Sequence, residues 1–258
     1  MPNLTTDHID MLRHAVRGKV LLPADAGYET ARTVWNATVD RRPAIIVQCS
    51  GTADVMQAVG FARDRGLVLA VRGGGHNIAG SAICNGGLVI DLSQLRTVHV
   101  DPLERVAWVS PGATLADFDH EAQAQGLATP LGINSTTGVA GLTLGGGFGW
   151  LTRKYGMTVD NLLGCEIVTA DGTRHWTDSR HEPELFWALR GGGGNFGVVT
   201  LFQFLPQQIQ RIVIGPRLAA YIAAVRAACA AGGRSVTNID GSHAGYLHLT
   251  GCQRQRHG

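Results

Sequence analysis

The stretch Val71-Arg72-Gly73-Gly74-Gly75-His76-Asn77 carries the most information about the fold and function of this chain. It follows an apolar segment, residues 67–71, whose composition is typical of a buried strand. Three consecutive glycines let the backbone approach another group closely, because no Cβ intervenes and positive φ angles are open. The histidine that follows places a titratable, nucleophilic ring beside that group. The stretch therefore predicts a strand that leads into a ligand-binding loop centred on His76.

Two further glycine clusters lie downstream, at residues 145–149 and 191–197. Each stands beside a segment of helix or strand character, and backbone amides in such loops can bind phosphate oxygens. None of the clusters is followed by Gly-Lys-Ser/Thr, which excludes the phosphate-binding loop of nucleoside triphosphatases. Together, the three glycine-rich loops predict a backbone cradle for a large anionic cofactor.

The composition is that of a globular chain of 258 residues, 45% hydrophobic and 16% charged, which can form one large domain or two small ones. The net charge of +2 gives no support to a nucleic-acid partner, and no apolar run is long enough to cross a membrane. The N-terminus lacks the features of a signal peptide, and the five cysteines show no CxxC spacing. We therefore expect reduced thiols and a cytoplasmic protein without nucleic-acid or membrane partners.

Strand and helix signals occur in mixed order along the chain, without a Rossmann fingerprint, which predicts an α+β fold. Thr52 and Thr114 are placed to cap two helices, which end before Gly66 and Gly126. Residues 129–149 are rich in glycine, serine and threonine, and their length predicts a functional loop without regular structure. The remaining signals predict strands at 44–49, 67–71, 88–92, 97–100, 105–109 and 198–204, a helix at 184–190 and a hairpin around 171–172.

The positions of the glycine clusters and a change in charge divide the chain into three segments. Residues 1–39 predict a helical lead-in, and residues 40–205 hold all three glycine clusters. Residues 206–258 contain six arginines but a single acidic residue, Asp240, and this change in charge marks a boundary. A helix is predicted at 218–231, and the rest of this tail is expected to be partly disordered because it offers little core.

Several motifs occur together and in a fixed order along the chain. They are Trp35-Asn36, Arg41-Arg42-Pro43, residues 72–77, residues 88–92, residues 138–151, Arg153-Lys154-Tyr155-Gly156, Asp160-Asn161, residues 168–172, residues 185–188 and Gly197-Val198-Val199-Thr200. In these motifs the chain resembles the FAD-binding domain of the vanillyl-alcohol oxidase and p-cresol methylhydroxylase (PCMH) proteins, in their berberine bridge enzyme-like branch. The resemblance implies a PCMH-type FAD-binding fold for residues 40–205, with two small α/β subdomains and the cofactor between them.

The resemblance also implies how FAD is held. His76 would carry the cofactor through a covalent bond from a ring nitrogen to the flavin 8α-methyl carbon, a role that suits a neutral imidazole. The residues expected to bind FAD are Arg72, Gly73, Gly74, Gly75, His76, Asn77, Gly138, Gly141, Gly145, Gly146, Gly149, Val198 and Val199. For the two valines, packing in a core is the alternative.

One position departs from the family pattern. Some relatives attach FAD a second time, through a cysteine four residues before the glycine that corresponds to Gly138, and this chain has Asn134 there. The sequence therefore predicts a single covalent tether. The other histidines lack the spacing of metal ligands, so no metal site is expected. The segment Arg153-Lys154-Tyr155 either lines the flavin or forms a solvated turn, and both interpretations stay open.

Members of the family continue into a second, substrate-covering domain, which no segment after Leu205 resembles. The substrate domain is therefore expected to be absent through C-terminal truncation. By the resemblance, the catalytic base lies largely in that absent half, so no catalytic residue is assigned. The expected function is an FAD-dependent oxidoreductase that takes a hydride from an alcohol, sugar or similar small organic substrate, with O₂ or another electron acceptor. The alternative is a catalytically incomplete flavin-binding fragment.

Overall fold

The computed structural model describes residues 4–208, 234–236 and 252–254. The elements are, in chain order, α1 (Thr6–Ala15), β1 (Lys19–Leu21), α2 (Tyr28–Ala31), β2 (Ile45–Gln48), α3 (Thr52–Asp64), β3 (Leu69–Arg72), β4 (Leu88–Asp91), β5 (Val98–Asp101), β6 (Val106–Val109), α4 (Leu115–Ala124), β7 (Leu127–Ala128), α5 (Val139–Leu144), α6 (Thr152–Tyr155), a 3-10 helix (Thr158–Asn161), β8 (Leu162–Val168), β9 (Arg174–Asp178), α7 (Pro183–Leu189), β10 (Val198–Phe204), β11 (Gln207–Gln208), β12 (Arg234–Val236) and β13 (Cys252–Arg254). The helix predicted at 218–231 and most of the tail from residue 206 lie outside the described residues. None of the helices in the described part is long and apolar enough to cross a membrane.

The first sheet has the strand order β1-β2-β4-β3 and leads into the loop that begins at Gly73. Strands β2, β4 and β3 are parallel, with Leu88 opposite both Ile45 and Leu69, whereas β1 pairs antiparallel with β2. Every residue of β4 is buried, as expected for a parallel strand covered on both faces. The predicted strands at 44–49, 67–71 and 88–92 are confirmed, with ends shifted by one or two residues.

Within the predicted helical lead-in, residues Lys19–Leu21 form the strand β1 at the edge of this sheet. The buried carboxylate of Asp54 in α3 holds the turn before the strand, because it accepts hydrogen bonds from the backbone N–H groups of Arg17 (2.8 Å) and Gly18 (2.9 Å). Burial alone would raise the pKa of Asp54, but these bonds and those from Ser50 lower it below its usual value. The N-terminal segment is therefore part of the first sheet.

The second sheet is antiparallel, with the strand order β5-β6-β10-β8-β9. Its central strand β10 coincides with the strand predicted at 198–204. Strands β8 and β9 form the predicted hairpin, in which Gly172 adopts a positive φ of 84°. Thr114 caps α4 as predicted, through a reciprocal pair of hydrogen bonds with Asp117.

Three hydrophobic cores hold these elements together. The first lies between α1, α3 and one face of the first sheet, and the third covers the opposite face around the buried Tyr28. The second lies between the second sheet and helices α4, α5 and α7. Val168 and Val198 of the second sheet belong to the first core, so the two sheets share apolar packing. Residues 4–208 thus form two small α/β units in contact, which confirms the predicted fold class.

A carboxylate joins the two units beside α3. Glu166 Oε1 in β8 accepts hydrogen bonds from Thr52 Oγ1 (2.8 Å), at the start of α3, and from Thr200 Oγ1 (2.7 Å) in β10. The prediction that Thr52 caps α3 is therefore wrong, since Gly51 occupies the N-cap position without a side-chain hydrogen bond. The Thr52 hydroxyl instead connects α3 to the second sheet.

The segment 129–149 contains a short helix, α5, so the prediction of a loop without regular structure is wrong at Val139–Leu144. Gly138 is the N-cap residue of this helix and Gly145 its C-cap residue. The side chains of Val139 and Ala140 are buried in the second core. The helix is therefore anchored on one side by apolar packing and bounded at both ends by glycine.

Candidate functional site

The loop after β3 meets the segment before α5, and the contact is backbone against backbone. A Cβ on Gly74 would lie 2.4 Å from the Gly138 nitrogen, and a Cβ on Gly138 would lie 2.6 Å from the Gly74 nitrogen. Gly73 is restricted in the same way, because its Cβ would lie 2.9 Å from Pro111 O. The structure thus brings two predicted glycine-rich segments together at the carboxyl end of parallel strands, where α/β sheets commonly bind ligands.

His76 lies partly buried at this junction. Its ring stacks on Trp35, with the ring centroids 5.0 Å apart and an interplanar angle of 23°. The Trp35 backbone N–H donates to Gly75 O (3.1 Å), which ties the two segments together. Burial lowers the pKa of His76 below its ordinary value, so the imidazole is neutral at pH 7. A neutral imidazole carries a lone pair on one nitrogen and can act as a nucleophile.

Thr136 reaches His76 from the segment before α5. Its Oγ1 lies 2.9 Å from His76 Nε2 and 2.8 Å from Asn134 Oδ1. His76 Nδ1 makes no hydrogen bond with the described residues. The sequence does not predict the contacts of His76 with Trp35 and Thr136, although Trp35 belongs to the Trp35-Asn36 motif.

Gly141 and Gly145 leave one face of α5 as bare backbone. Gly141 is exposed, and a Cβ placed on it would meet nothing within 4 Å. Gly145, one turn later, is also exposed. Because Gly138 at the start of α5 touches Gly74, this bare face continues the surface of the His76 loop.

At four other predicted binding positions, backbone conformation or packing within the protein explains which residue type is present. Gly146 adopts a positive φ of 105°, and a Cβ on Gly149 would lie 1.7 Å from Leu131 O. Val198 is buried in the first core and Val199 in the second. Folding alone accounts for these residues, and their contact with a cofactor stays a prediction.

Arg72 and Asn77 flank the loop, and both side chains make hydrogen bonds within the protein. The Arg72 guanidinium donates to Ala31 O at the end of α2, while its buried Nε has no hydrogen-bond partner among the described residues. A buried donor of this kind, next to Gly75, is suited to a bound anionic group. Asn77 Oδ1 accepts from the Ser81 backbone N–H (3.0 Å) and so shapes the turn that follows the loop.

The third glycine cluster lies at the C-terminal end of α5. The backbone N–H of Gly193 donates to Leu144 O (3.0 Å), which satisfies a carbonyl at the end of the helix. Gly191 and Gly193 have positive φ angles of 123° and 69°, so they form the turn after α7. All three clusters therefore border α5 or the loop that touches it.

Exposed apolar side chains lie near the glycine-lined surface. Phe148 and Trp150 are 70% and 68% exposed, and Ile133 is 60% exposed. The close packing of Gly149 on Leu131 brings the segments that carry these side chains together. We call these three exposed side chains, which lie before and after α5 in the chain, the apolar rim.

Two interpretations of Arg153-Lys154-Tyr155 remain predictions: this segment lines the flavin, or it forms a solvated turn. Arg153 and Lys154 are exposed in the short helix α6, and Lys154 Nζ lies 4.8 Å from the centre of the Tyr155 ring. Among residues 4–208, no group of three or more His, Cys, Asp or Glu side chains is placed to hold a metal ion.

His76 and the exposed glycine of α5, Gly141, lie within one continuous segment that matches a known family. Residues 43–178, more than half of the chain, match the family described as FAD binding domain. The chain belongs to this family, within the vanillyl-alcohol oxidase and PCMH class of FAD-linked proteins.

Its relatives support the same class. (R)-6-hydroxynicotine oxidase from Paenarthrobacter nicotinovorans is 41% identical over 186 residues, which are 72% of this chain and 41% of the relative. The structure of BBE-like 1 from Physcomitrella patens matches with a TM-score of 0.74 at 30% identity, over 80% of this chain and 45% of that chain. Glucooligosaccharide oxidase from Acremonium strictum, described with a 6-S-cysteinyl, 8α-N1-histidyl FAD, matches with a TM-score of 0.74 at 33% identity, over 78% and 42%. The chain spans less than half of the length of these relatives, and the predicted family is confirmed.

Proposed function

We propose that this chain is the flavin-binding part of an FAD-dependent oxidoreductase, with FAD attached to the protein through His76 alone. The observation that carries the proposal is the position of the His76 ring, held by Trp35 and Thr136 where the backbones of Gly74 and Gly138 meet, and burial lowers the pKa of this ring. The match to the FAD binding domain family and the relative described with an 8α-N1-histidyl FAD support it.

The residues at the junction suit a bound FAD. Gly73, Gly74 and Gly138 would hold the cofactor against backbone, and the bare face of α5 at Gly141 would lie along it. Bound FAD supplies a ring that accepts a hydride from an organic substrate and passes electrons to an acceptor. The chain contributes the position and protonation state of His76.

The proposal of a single tether rests on the residue at position 134. An amide nitrogen has no lone pair available for nucleophilic attack, unlike the thiolate of a cysteine. Asn134 Oδ1 already accepts hydrogen bonds from the backbone N–H (3.0 Å) and the hydroxyl (2.8 Å) of Thr136. The cysteinyl link described for glucooligosaccharide oxidase therefore has no counterpart at this position.

The proposed substrate is an alcohol, a sugar or a similar small organic molecule, and the proposed acceptor is O₂ or another oxidant. Relatives are named as oxidases of 6-hydroxynicotine and of glucooligosaccharides, which supports this range.

The proposed location is the cytoplasm, supported by three cysteines that are free and buried, Cys49, Cys84 and Cys165.

A second candidate function is FAD binding without catalysis. The exposure of Phe148 and Trp150 favours it, because an apolar rim open to solvent leaves the cofactor uncovered on that side. No residue described in the structure is assigned as a catalytic base. The two candidates differ in whether a substrate can reduce the bound flavin.

Flavin retention on the denatured chain tests the proposed function. The 258-residue protein is incubated with FAD, precipitated with acid and examined for flavin fluorescence on the washed protein band. We expect an equimolar amount of flavin to stay with the protein. A folded chain that retains none contradicts the covalent attachment. Anaerobic bleaching of the bound flavin by candidate alcohols or sugars then supports the oxidoreductase, whereas a flavin that no candidate bleaches supports binding without catalysis.

Gly141→Ala is expected to change stability and FAD binding in opposite directions. Without FAD, alanine should raise the free energy of unfolding by about 0.5–1 kcal/mol, because Gly141 is inside a helix and the added Cβ meets no atom. With FAD, the methyl group should occupy space needed by the cofactor and weaken binding by about tenfold or more. Urea unfolding and titration with FAD measure the two effects.

Gly60→Ala provides the matched control for Gly141→Ala. Gly60 is inside α3, and the nearest atom to its Cβ would be Arg63 Nη2 at 3.9 Å. This variant should be stabilised to a similar extent while its affinity for FAD stays at the wild-type value. Wild-type affinity in Gly141→Ala as well would remove Gly141 from the proposed binding surface.

A further inference from the structure

Asn134 and Thr136 are linked to His76 by a chain of hydrogen bonds. Asn134 Oδ1 lies 3.0 Å from the Thr136 backbone nitrogen and 2.8 Å from Thr136 Oγ1. Thr136 Oγ1 in turn lies 2.9 Å from His76 Nε2. Three side chains from two separate loops therefore form one connected path that ends on the imidazole.

The direction of each proton along this path follows from what each group can donate. The Thr136 backbone N–H can only donate, so the Asn134 atom that faces it must be the amide oxygen. That oxygen only accepts, so the Thr136 hydroxyl must donate its single proton to it. The proton between Thr136 Oγ1 and His76 Nε2 must therefore come from the imidazole.

The backbone around Thr136 is held independently of His76. The Leu115 N–H donates to Thr137 O (2.9 Å), and the Ala116 N–H donates to Ser135 O (3.0 Å). Both donors belong to the first turn of α4, which is itself anchored in the second core. The hydroxyl of Thr136 is thus presented to His76 from a rigid element.

We propose that Asn134 and Thr136 are positioning residues that hold His76 as the Nε2–H tautomer and leave the lone pair on Nδ1 as the atom that bonds to the flavin. This inference rests on the proposed attachment of FAD to His76. In this inference Asn134 does not form a second covalent link to FAD. It acts on the proposed bond between His76 and FAD through its hydrogen bond with Thr136.

The tautomer matters because only one nitrogen of a neutral imidazole has a lone pair in the ring plane. During attachment, a bond forms between Nδ1 and the flavin 8α carbon, and one C–H bond of the methyl group breaks. The electron pair of that C–H bond reduces the flavin, with one proton from the methyl group and one from Nε2. Molecular oxygen then takes up the two electrons and two protons as hydrogen peroxide. A ring protonated on Nδ1 cannot begin this reaction at that nitrogen.

Nitrogen NMR on the FAD-free chain tests the tautomer directly. In the ¹⁵N-histidine-labelled 258-residue protein, the signals that disappear in His76→Gln should show a pyrrole-like Nε2 and a pyridine-like Nδ1. Asn134→Ala frees the Thr136 hydroxyl to donate to Nε2, so the ring should shift towards the Nδ1–H form. A wild-type ring protonated on Nδ1 overturns the inference, whether or not FAD is ever attached.

The rate of covalent attachment provides the second measurement. Thr136→Val and Asn134→Ala should slow the appearance of acid-stable flavin by about tenfold, the expected effect of losing one hydrogen bond, and Thr136→Ser should restore the rate. Thr38→Val is the matched control, because Thr38 makes the same two bonds to Asn36 Oδ1 (3.1 and 2.8 Å) without a hydrogen bond to His76. Equal rates in Thr136→Val and Thr38→Val overturn the inference. Absence of acid-stable flavin in the wild type, with the Nε2–H tautomer observed, contradicts only the proposed attachment.

Discussion

A His76→Ala chain is expected to bind FAD reversibly and to release all of it when the protein is denatured with acid. Alanine removes the only side chain proposed to bond to the cofactor, while the backbone contact of Gly74 with Gly138 is unaffected. The wild-type chain should retain an equimolar amount of flavin under the same treatment. Flavin fluorescence on the washed, precipitated protein measures the difference between the two.

His99→Ala is the control for this loss. His99 is also paired with a tryptophan, Trp108, at 5.8 Å between ring centroids, but it lies on β5 in the second sheet. Its replacement should leave flavin retention unchanged. Retention by His76→Ala would place the covalent bond on another residue.

The rate of attachment should also depend on pH in one direction. Burial lowers the pKa of His76, so the neutral ring persists to lower pH than in an exposed histidine. The rate should be constant above this lowered pKa and fall as the pH drops through it, because the protonated ring has no lone pair. Attachment rates across a pH series, measured on protein that stays folded, give the profile.

Gly74→Ala is expected to lower the free energy of unfolding by about 3 kcal/mol and to abolish FAD binding. The added Cβ would lie 2.4 Å from the nitrogen and 2.6 Å from the Cα of Gly138. Because both neighbours are backbone atoms, no side-chain rotation relieves the contact, and the two loops must separate. Urea unfolding and FAD titration measure the two losses.

Gly194→Ala tests whether loss of a loop glycine is harmful in general. Gly194 lies in the third glycine cluster, and its Cβ would meet no atom within 4 Å. This variant should stay within about 0.5 kcal/mol of the wild type. A Gly74→Ala chain as stable as Gly194→Ala would contradict the close backbone contact.

The long, regular elements could be predicted from the sequence because their signals are local. The apolar run at 198–204 is the strand β10, and the residues around Gly172 form the hairpin. The errors fall where a partner is distant or an element is short. Thr52 has the sequence character of a cap, but its hydroxyl bonds to a residue 114 positions away. Strand β1 has a single buried residue, Val20, and depends on pairing with β2.

The candidate site could be predicted in part for the same reason. The loop around His76 is a continuous motif, whereas the contact between Gly74 and Gly138 is a tertiary contact that no local pattern shows. The sequence does not predict helix α5, because Gly141 lowers its helix propensity, and apolar packing in the second core compensates for this. The bond from Thr136 to His76 depends on how two loops are brought together by the fold.

The hydrogen bonds of Glu166 affect the entropic cost of binding a cofactor that contacts both units. The hydrogen bond from Thr52 connects the first unit to the carboxylate, and the bond from Thr200, in the same sheet as Glu166, holds that carboxylate in place, so the two units are joined before any ligand arrives. A molecule that spans both units then meets surfaces that are already aligned. Because the conformational entropy of joining the units is lost when the chain folds, we expect a cofactor that contacts both units to bind with a smaller entropic cost.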